Sequence, residues 1–283
     1  MRAERLALFD LDHTLVPFDS GMRWAGFLVS AGVLDAAAQA DYLAVCKAYV
    51  AGRLPIEELH RFAVLRLLPP PGRLDALYPA FEGELADAPR AAARALVAAH
   101  RTAGDLCCIV TATSVPIARP FARLFGIADA QLIASRPCRA RVSSAGEGGG
   151  GEGLSSERGE GRDEGRGDHS EAVRSKAGAG KADDGRYRAA GHVEWERYTG
   201  AFDGPLCHGA GKLAHMHAWL AAHGRDAACL REATFYSDSI SDLPLLEAVG
   251  EPVAVDPDPQ LAEHARRCGW RVITGVGRGT PGA

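Results

Sequence analysis

Short, nearly uninterrupted apolar runs recur along this chain and alternate with stretches of helical spacing. The runs are Arg5 to Leu11, Asp105 to Val110, Gln131 to Ala134, Ala233 to Tyr236, Pro252 to Val255 and Arg271 to Ile273. Such runs suit strands buried on both faces of a parallel sheet, with polar residues gathering at their carboxyl ends. Between them, Ile117 to Phe125, Lys212 to His223, Leu243 to Val249 and Gln260 to Cys268 read as helices. Strands alternating with helices predict an α/β fold built on a doubly wound parallel sheet.

That rhythm breaks between Ser20 and His100, where alanine- and leucine-rich amphipathic stretches replace the strands. Gly21 to Ala31, Asp35 to Val50, Ile56 to Leu68, Arg73 to Leu85 and Arg90 to Arg101 are predicted helices, separated by glycine and proline breakers such as Pro69-Pro70-Pro71-Gly72. The expected organisation is a core from residues 1–16 and 103–283 with an inserted α-helical cap at 17–102. Residues 143–191 are crowded with Gly, Ser, Glu and Arg and have almost no large aliphatics, so they are expected to form a disordered insert within the core domain.

Composition narrows the function. The 283 residues carry a net charge of −4, with 32 Lys+Arg against 36 Asp+Glu, and this balance supplies no electrostatic excess for nucleic acid or an anionic membrane. No apolar run approaches the roughly 20 residues that span a bilayer. The amino-terminal residues lack the h-region and cleavage site of a secretory signal, so a cytoplasmic location is expected. The 7 cysteines are scattered without CxxC spacing and read as free thiols.

Chemistry gathers at strand ends. Asp10 and Asp12 stand two apart where the first strand stops, and taken alone they are as easily solvated loop acids as a catalytic pair. Thr111, Lys212, Asp238 and Asp242 follow, each at the end of an apolar run or the start of a helix. Asp238 and Asp242 also suit an N-cap and a first-turn acid of the helix near Leu243. Gly209-Ala210-Gly211-Lys212 lacks the first glycine and the Ser/Thr of a P-loop. His215 and His217 are two apart on a helix and share no face, which disfavours a zinc pair.

Taken together, Phe9-Asp10-Leu11-Asp12-His13-Thr14, Cys108-Ile109-Val110-Thr111, Gly211-Lys212 and Tyr236-Ser237-Asp238-Ser239-Ile240-Ser241-Asp242 resemble, in order, the four motifs of the haloacid dehalogenase superfamily. The resemblance implies a Rossmann-like core and a magnesium-dependent phosphatase acting on a small-molecule phosphate ester. It casts Asp10 as the nucleophile that forms an aspartyl phosphate, and Asp12 as general acid and base. Lys212, Thr111 and the Ala112 backbone would hold phosphate oxygens. Asp10, the Asp12 carbonyl and Asp238 would hold Mg²⁺, with Asp242 supporting the metal's water or Lys212.

A helical insert between the first and second motifs resembles subfamily IB, the phosphoserine-phosphatase-like group. Thr111-Ala112-Thr113-Ser114 and Ser237-Asp238-Ser239-Ile240-Ser241-Asp242 depart from the Ser-Gly-Gly and Gly-Asp-Gly-x-Asn-Asp of phosphoserine phosphatase itself. By count, Asp19 falls where that group reads a substrate ammonium, and Arg61 where it reads a carboxylate. The implied substrates are amino-alcohol or amino-acid phosphates, histidinol phosphate and phosphoserine among them. The alternatives are a broad phosphatase or phosphotransferase, or a non-catalytic binding protein on the same fold. Oligomeric state leaves no trace in these patterns.

Overall fold

Strand β1 (Leu6–Phe9) runs through the middle of a parallel sheet, flanked by β2 (Leu106–Ser114) and then β3 (Leu132–Ser135) on one side. The computed structural model describes residues 4–142 and 195–276, and the predicted insert at 143–191 lies outside them. Two further strands, β4 (Pro137–Val142) and β5 (Trp195–Phe202), pair with each other in a separate two-stranded sheet. On the far side of β1 stand β6 (Thr234–Ser237), β7 (Glu251–Val255) and β8 (Arg271–Ile273), giving the order β3-β2-β1-β6-β7-β8.

Every pairing in the larger sheet is parallel, so the strand ends that carry polar residues all emerge on one edge. The order reverses beside β1, which makes its carboxyl end a topological switch point where ligands bind in open α/β sheets. Alternate residues of each strand enter opposite cores. Ala7, Phe9, Ile109 and Val253 join one buried cluster, while Leu6, Leu8, Val110 and Ala254 join the other. Burial on both faces explains why these strands read as solid apolar runs.

Helices α1 (Ser20–Ser30), α2 (Ala36–Val50), α3 (Ile56–Leu67), α4 (Pro71–Leu85) and α5 (Ala91–Thr102) lie between β1 and β2. Asp19 and Asp35 cap α1 and α2 through their side chains, accepting from the amides of Met22 and Ala38. Trp24, Phe27, Tyr78 and Phe81 form an aromatic cluster, and the Trp24 indole donates to the Leu67 carbonyl at 2.8 Å. Each such buried ring contributes on the order of 2 kcal/mol by leaving water. The five helices share a compact unit, Met1–Arg141 with Trp195–Ala283, with the sheet.

Helices α6 (Val115–Leu124), α7 (Ala210–Ala222), α8 (Leu243–Leu246) and α9 (Pro259–Cys268) connect the later strands. Expectation and structure diverge in two places. β2 continues past Val110 to Ser114 through a register irregularity between Thr111 and Ser114. α8 stops three residues early, because Gly250 bonds to the Leu230 carbonyl and abuts Arg231 so closely that a β-carbon there would collide with its backbone. The pair β4 and β5 had no periodic signature. No helix among the described residues is long and apolar enough to cross a membrane.

Candidate active site

The turn after β1 is folded around one carbonyl. Leu15 and Val16 both donate to the Leu11 oxygen, at 2.9 and 3.1 Å, and His13 takes a left-handed conformation with φ 58. That backbone is uncommon for a residue with a β-carbon and costs of order 1 kcal/mol. It turns the chain so that Asp12 leaves the strand direction while Asp10 stays at the sheet edge.

Asp10, Thr111, Lys212, Asp238 and Asp242 come together at that edge, each buried. Lys212, in the first turn of α7, donates to Asp10 Oδ1 and to Asp242 Oδ2, both at 2.6 Å. Burial alone would lower the Lys212 pKa, but the two carboxylates more than offset this and hold it protonated. Burial pushes Asp10 up to about 6, against the opposing pull of Lys212. Thr14 Oγ1 lies 3.3 Å from both Asp10 Oδ2 and Asp238 Oδ1, tying the two carboxylates to one hydroxyl. Asp242 starts α8 without capping it by side chain; its Oδ2 instead accepts from Ser237 at 2.6 Å as well as from Lys212.

Gly211 lets α7 begin in this position, since a β-carbon there would overlap the Leu206 carbonyl. Thr111 is 1% exposed, and its hydroxyl accepts from the Thr113 amide at 3.2 Å. Ala112 lies beside it on the cavity wall. Asp12 is held by the Ser20 amide at 2.9 Å and by the Thr113 hydroxyl at 3.0 Å. Burial, with Asp19 and Asp10 nearby, holds Asp12 well above the usual carboxylate range.

A cavity of about 350 Å³ opens above this floor. Its outer wall includes Asp19, Tyr42, Tyr49 and His60 from or beside the cap helices, with His208 facing them from the core. Burial raises Asp19 and lowers both His60 and His208, so the two imidazoles favour their neutral forms. Tyr49 and His208 meet at 3.2 Å across the mouth.

Arg61 is the one predicted site residue that the structure does not bring here. It sits on an outer face of α3 with its side chain 60% exposed, pairing with Glu58 at 4.0 Å, and does not line the cavity. Counting from the motif placed it correctly on the helix but could not tell which face turned inward. Thr14, Ser20, Tyr42, Tyr49, Thr113 and His208 are cavity or support residues without a role in the sequence reading. Only Thr14 had a signal, as the final residue of the first motif. His215 and His223 have separate partners, the carbonyls of Pro205 and Trp219.

A parallel sheet whose switch point carries two paired carboxylates, a buried lysine and a third acid defines a family. The model of the haloacid dehalogenase-like hydrolases matches residues 7–169 and 185–247, and the chain belongs to that family. It is a hydrolase of phosphatase type. Over its whole length it is similar to the histidinol-phosphatase of Neisseria meningitidis serogroup C (strain 8013), at 29% identity over 95% of this chain and 98% of that one. A phosphoserine phosphatase, SerB1 of Mycobacterium tuberculosis (strain ATCC 25618 / H37Rv), is 43% identical over 26% of this chain and 23% of its own length. A solved protein of unknown function from Bordetella pertussis Tohama I superposes with TM-score 0.68 at 32% identity, covering 95% of this chain and 98% of that one. A substrate-bound phosphoserine phosphatase shares the fold, with TM-score 0.55 at 15% identity over 98% of this chain and 96% of that one.

Proposed function

We propose that this chain is a Mg²⁺-dependent phosphatase of a small amino-alcohol phosphate such as histidinol phosphate, working through an aspartyl phosphate on Asp10. The observation that carries the proposal is the Asp10–Lys212–Asp242 bridge on the floor of the cavity. An unprotonated Asp10 would attack phosphorus as the ester P–O bond breaks, and Asp12 would give its proton to the departing alkoxide. Water would then attack the aspartyl phosphate, losing its proton to Asp12 and releasing Asp10 and phosphate. Lys212 would offset charge on Asp10 and the transferring group, while Thr111 and the Ala112 backbone would hold phosphate oxygens.

The donor set fits a hard cation. Asp10 and Asp238 share the Thr14 hydroxyl, and Asp242 Oδ1 is buried without a hydrogen-bond partner among the described residues. Three buried acids, Asp10, Asp238 and Asp242, share the site with a single buried ammonium, so acids outnumber cations there. Among the described residues no group of three or more His, Cys, Asp or Glu side chains is placed to hold a metal ion by itself. Mg²⁺ commonly takes one or two carboxylates and completes its shell with water and substrate phosphate. Asp10, Asp238 and the Asp12 carbonyl would hold it, and it would neutralise phosphoryl charge.

The substrate reading rests on the cavity wall and the whole-length histidinol-phosphatase relative. Asp19 offers a carboxylate for an ammonium, whereas Lys212 is the only Lys or Arg among the described lining residues and is already committed to two acids. With Arg61 outside, no arginine or second lysine among the described lining residues is left to read a carboxylate, and the charge of His13 acts on Asp19, which favours an amino alcohol over phosphoserine. The seven free thiols suit a reducing, cytoplasmic setting. Assaying the purified chain with Mg²⁺ against both esters tests this: histidinol phosphate should be cleaved with the higher kcat/KM, and a preference for phosphoserine would refute the assignment. Asp10→Asn should abolish all turnover while the fold persists.

A further inference from the structure

Asp12 is gripped at both oxygens, and the two grips come from different parts of the chain. Its Oδ1 accepts from the amide of Ser20, the first residue of α1, at 2.9 Å. Its Oδ2 accepts from Thr113 Oγ1 at 3.0 Å, and that hydroxyl lies 2.9 Å from Ser20 Oγ. Ser20 is fully buried. Thr113 lies where the register of β2 shifts between Thr111 and Ser114, and it lines the same cavity as Thr111.

We infer that Thr113 and Ser20 are positioning residues for proton transfer by Asp12, forming a hydroxyl chain that holds the carboxyl in both of its protonation states. The inference rests on the reading of Asp12 as the acid and base of a phosphatase. Such a residue must be protonated when the alkoxide leaves and ionised when water attacks. The Ser20 amide can only donate, so it holds Oδ1 as an acceptor in either state and leaves Oδ2 as the oxygen that gains and loses the proton. A hydroxyl both donates and accepts. Thr113 can donate to an ionised Asp12 while accepting from Ser20, and can accept from a protonated Asp12 while donating to Ser20. The reversal of the hydroxyls makes and breaks no covalent bond and leaves each of the three oxygens with a hydrogen-bond partner. The Ser20 amide meanwhile fixes the carboxyl to the first turn of the first cap helix, so that the acid and the cap entrance share one anchor.

The test is the leaving-group dependence of kcat/KM, which reports steps through the first irreversible one. A departing alkoxide needs its proton far more than a p-nitrophenolate does. For the Mg²⁺-loaded full chain, the ratio of kcat/KM on the best alkyl phosphate of a panel to that on p-nitrophenyl phosphate is measured in each variant. Thr113→Val should lower this ratio about ten-fold or more, a part of the 10²–10⁴ that general acid catalysis supplies. Thr113→Ser should restore it, and Ser20→Ala, which keeps the amide grip, should lower it less. Should the valine variant fail to fold by circular dichroism, Thr113→Ala is measured in its place with the same expectation. An equal loss on both esters, or no loss on the alkyl one, overturns the inference. Asp12→Asn separates it from the reading beneath: a lowered ratio there with an unchanged ratio in Thr113→Val overturns the hydroxyl chain alone, while an unchanged ratio in Asp12→Asn overturns Asp12 as the acid and both together.

Discussion

Lys212 is the side chain on which the floor of the site depends. Its side chain is 3% exposed and its ammonium bonds two carboxylates, which without it would face each other in a poorly solvated space. Removing one member of a buried ionic set is costly because the remaining charges keep their desolvation penalty; breaking such a pair typically costs about 3–5 kcal/mol. Lys212→Met is therefore expected to lower the urea midpoint as well as abolish turnover. Asp242→Asn leaves the Asp10 contact intact and should cost less in both respects. Equal midpoints for Lys212→Met and the parent chain would contradict this account. Arg61 is the opposite case: it is exposed and paired only to Glu58 one turn away. Arg61→Ala is expected to leave kcat/KM within about two-fold and stability within about 0.5 kcal/mol, as for a surface position.

Among the elements, α2 and α3 supply most of the cap-side cavity wall, and the start of α1 adds Gly21. α1 can pack close to α2 at its start because Gly21 has no side chain; a β-carbon there would collide with the Tyr42 hydroxyl and crowd Asp19. Gly21→Ala should raise KM for an amine-bearing ester more than for p-nitrophenyl phosphate, with the melting temperature nearly kept. A uniform loss on both would place the damage elsewhere. α3 buries His60, whose pKa falls to about 4 from 6.5 through burial, with His208 adding to it. Between those two values the unfolded chain binds the extra proton and the folded one does not, so stability falls as pH drops through the window. The loss reaches on the order of 3 kcal/mol near pH 4. Replacing His60 by Phe should flatten the pH dependence of the urea midpoint between pH 6.5 and 4. An unchanged slope would show that other groups carry it.

For the molecule as a whole, stability and ion binding should be linked. A site with more buried acids than cations gains when a divalent ion binds the folded chain and not the unfolded one, by about 2.7 kcal/mol at 100 times Kd. Adding Mg²⁺ should raise the melting temperature, chelation should reverse the rise, and Asp238→Asn should reduce it. A rise that survives in Asp238→Asn would exclude Asp238 as a ligand. The strand and helix order was legible along the chain because two-sided burial forces solid apolar runs and one-sided burial forces helical spacing; nine helices and six strands of the larger sheet among the described residues follow from that rule. So was the chemistry at strand ends, since a parallel sheet sends every carboxyl end to one edge wherever the strands fall in order. Asp10, Thr111, Lys212, Asp238 and Asp242 as one set, however, came from the order of the four motifs that resemble the haloacid dehalogenase superfamily, not from the geometry of the sheet. What neighbours each side chain met was decided only in three dimensions. Asp12 found Thr113, 101 residues away, Tyr49 found His208 across the cavity mouth, and Arg61 turned outward. Periodicity records which face of an element is buried, whereas contacts across elements depend on register, helix rotation and local backbone breaks that leave no period behind.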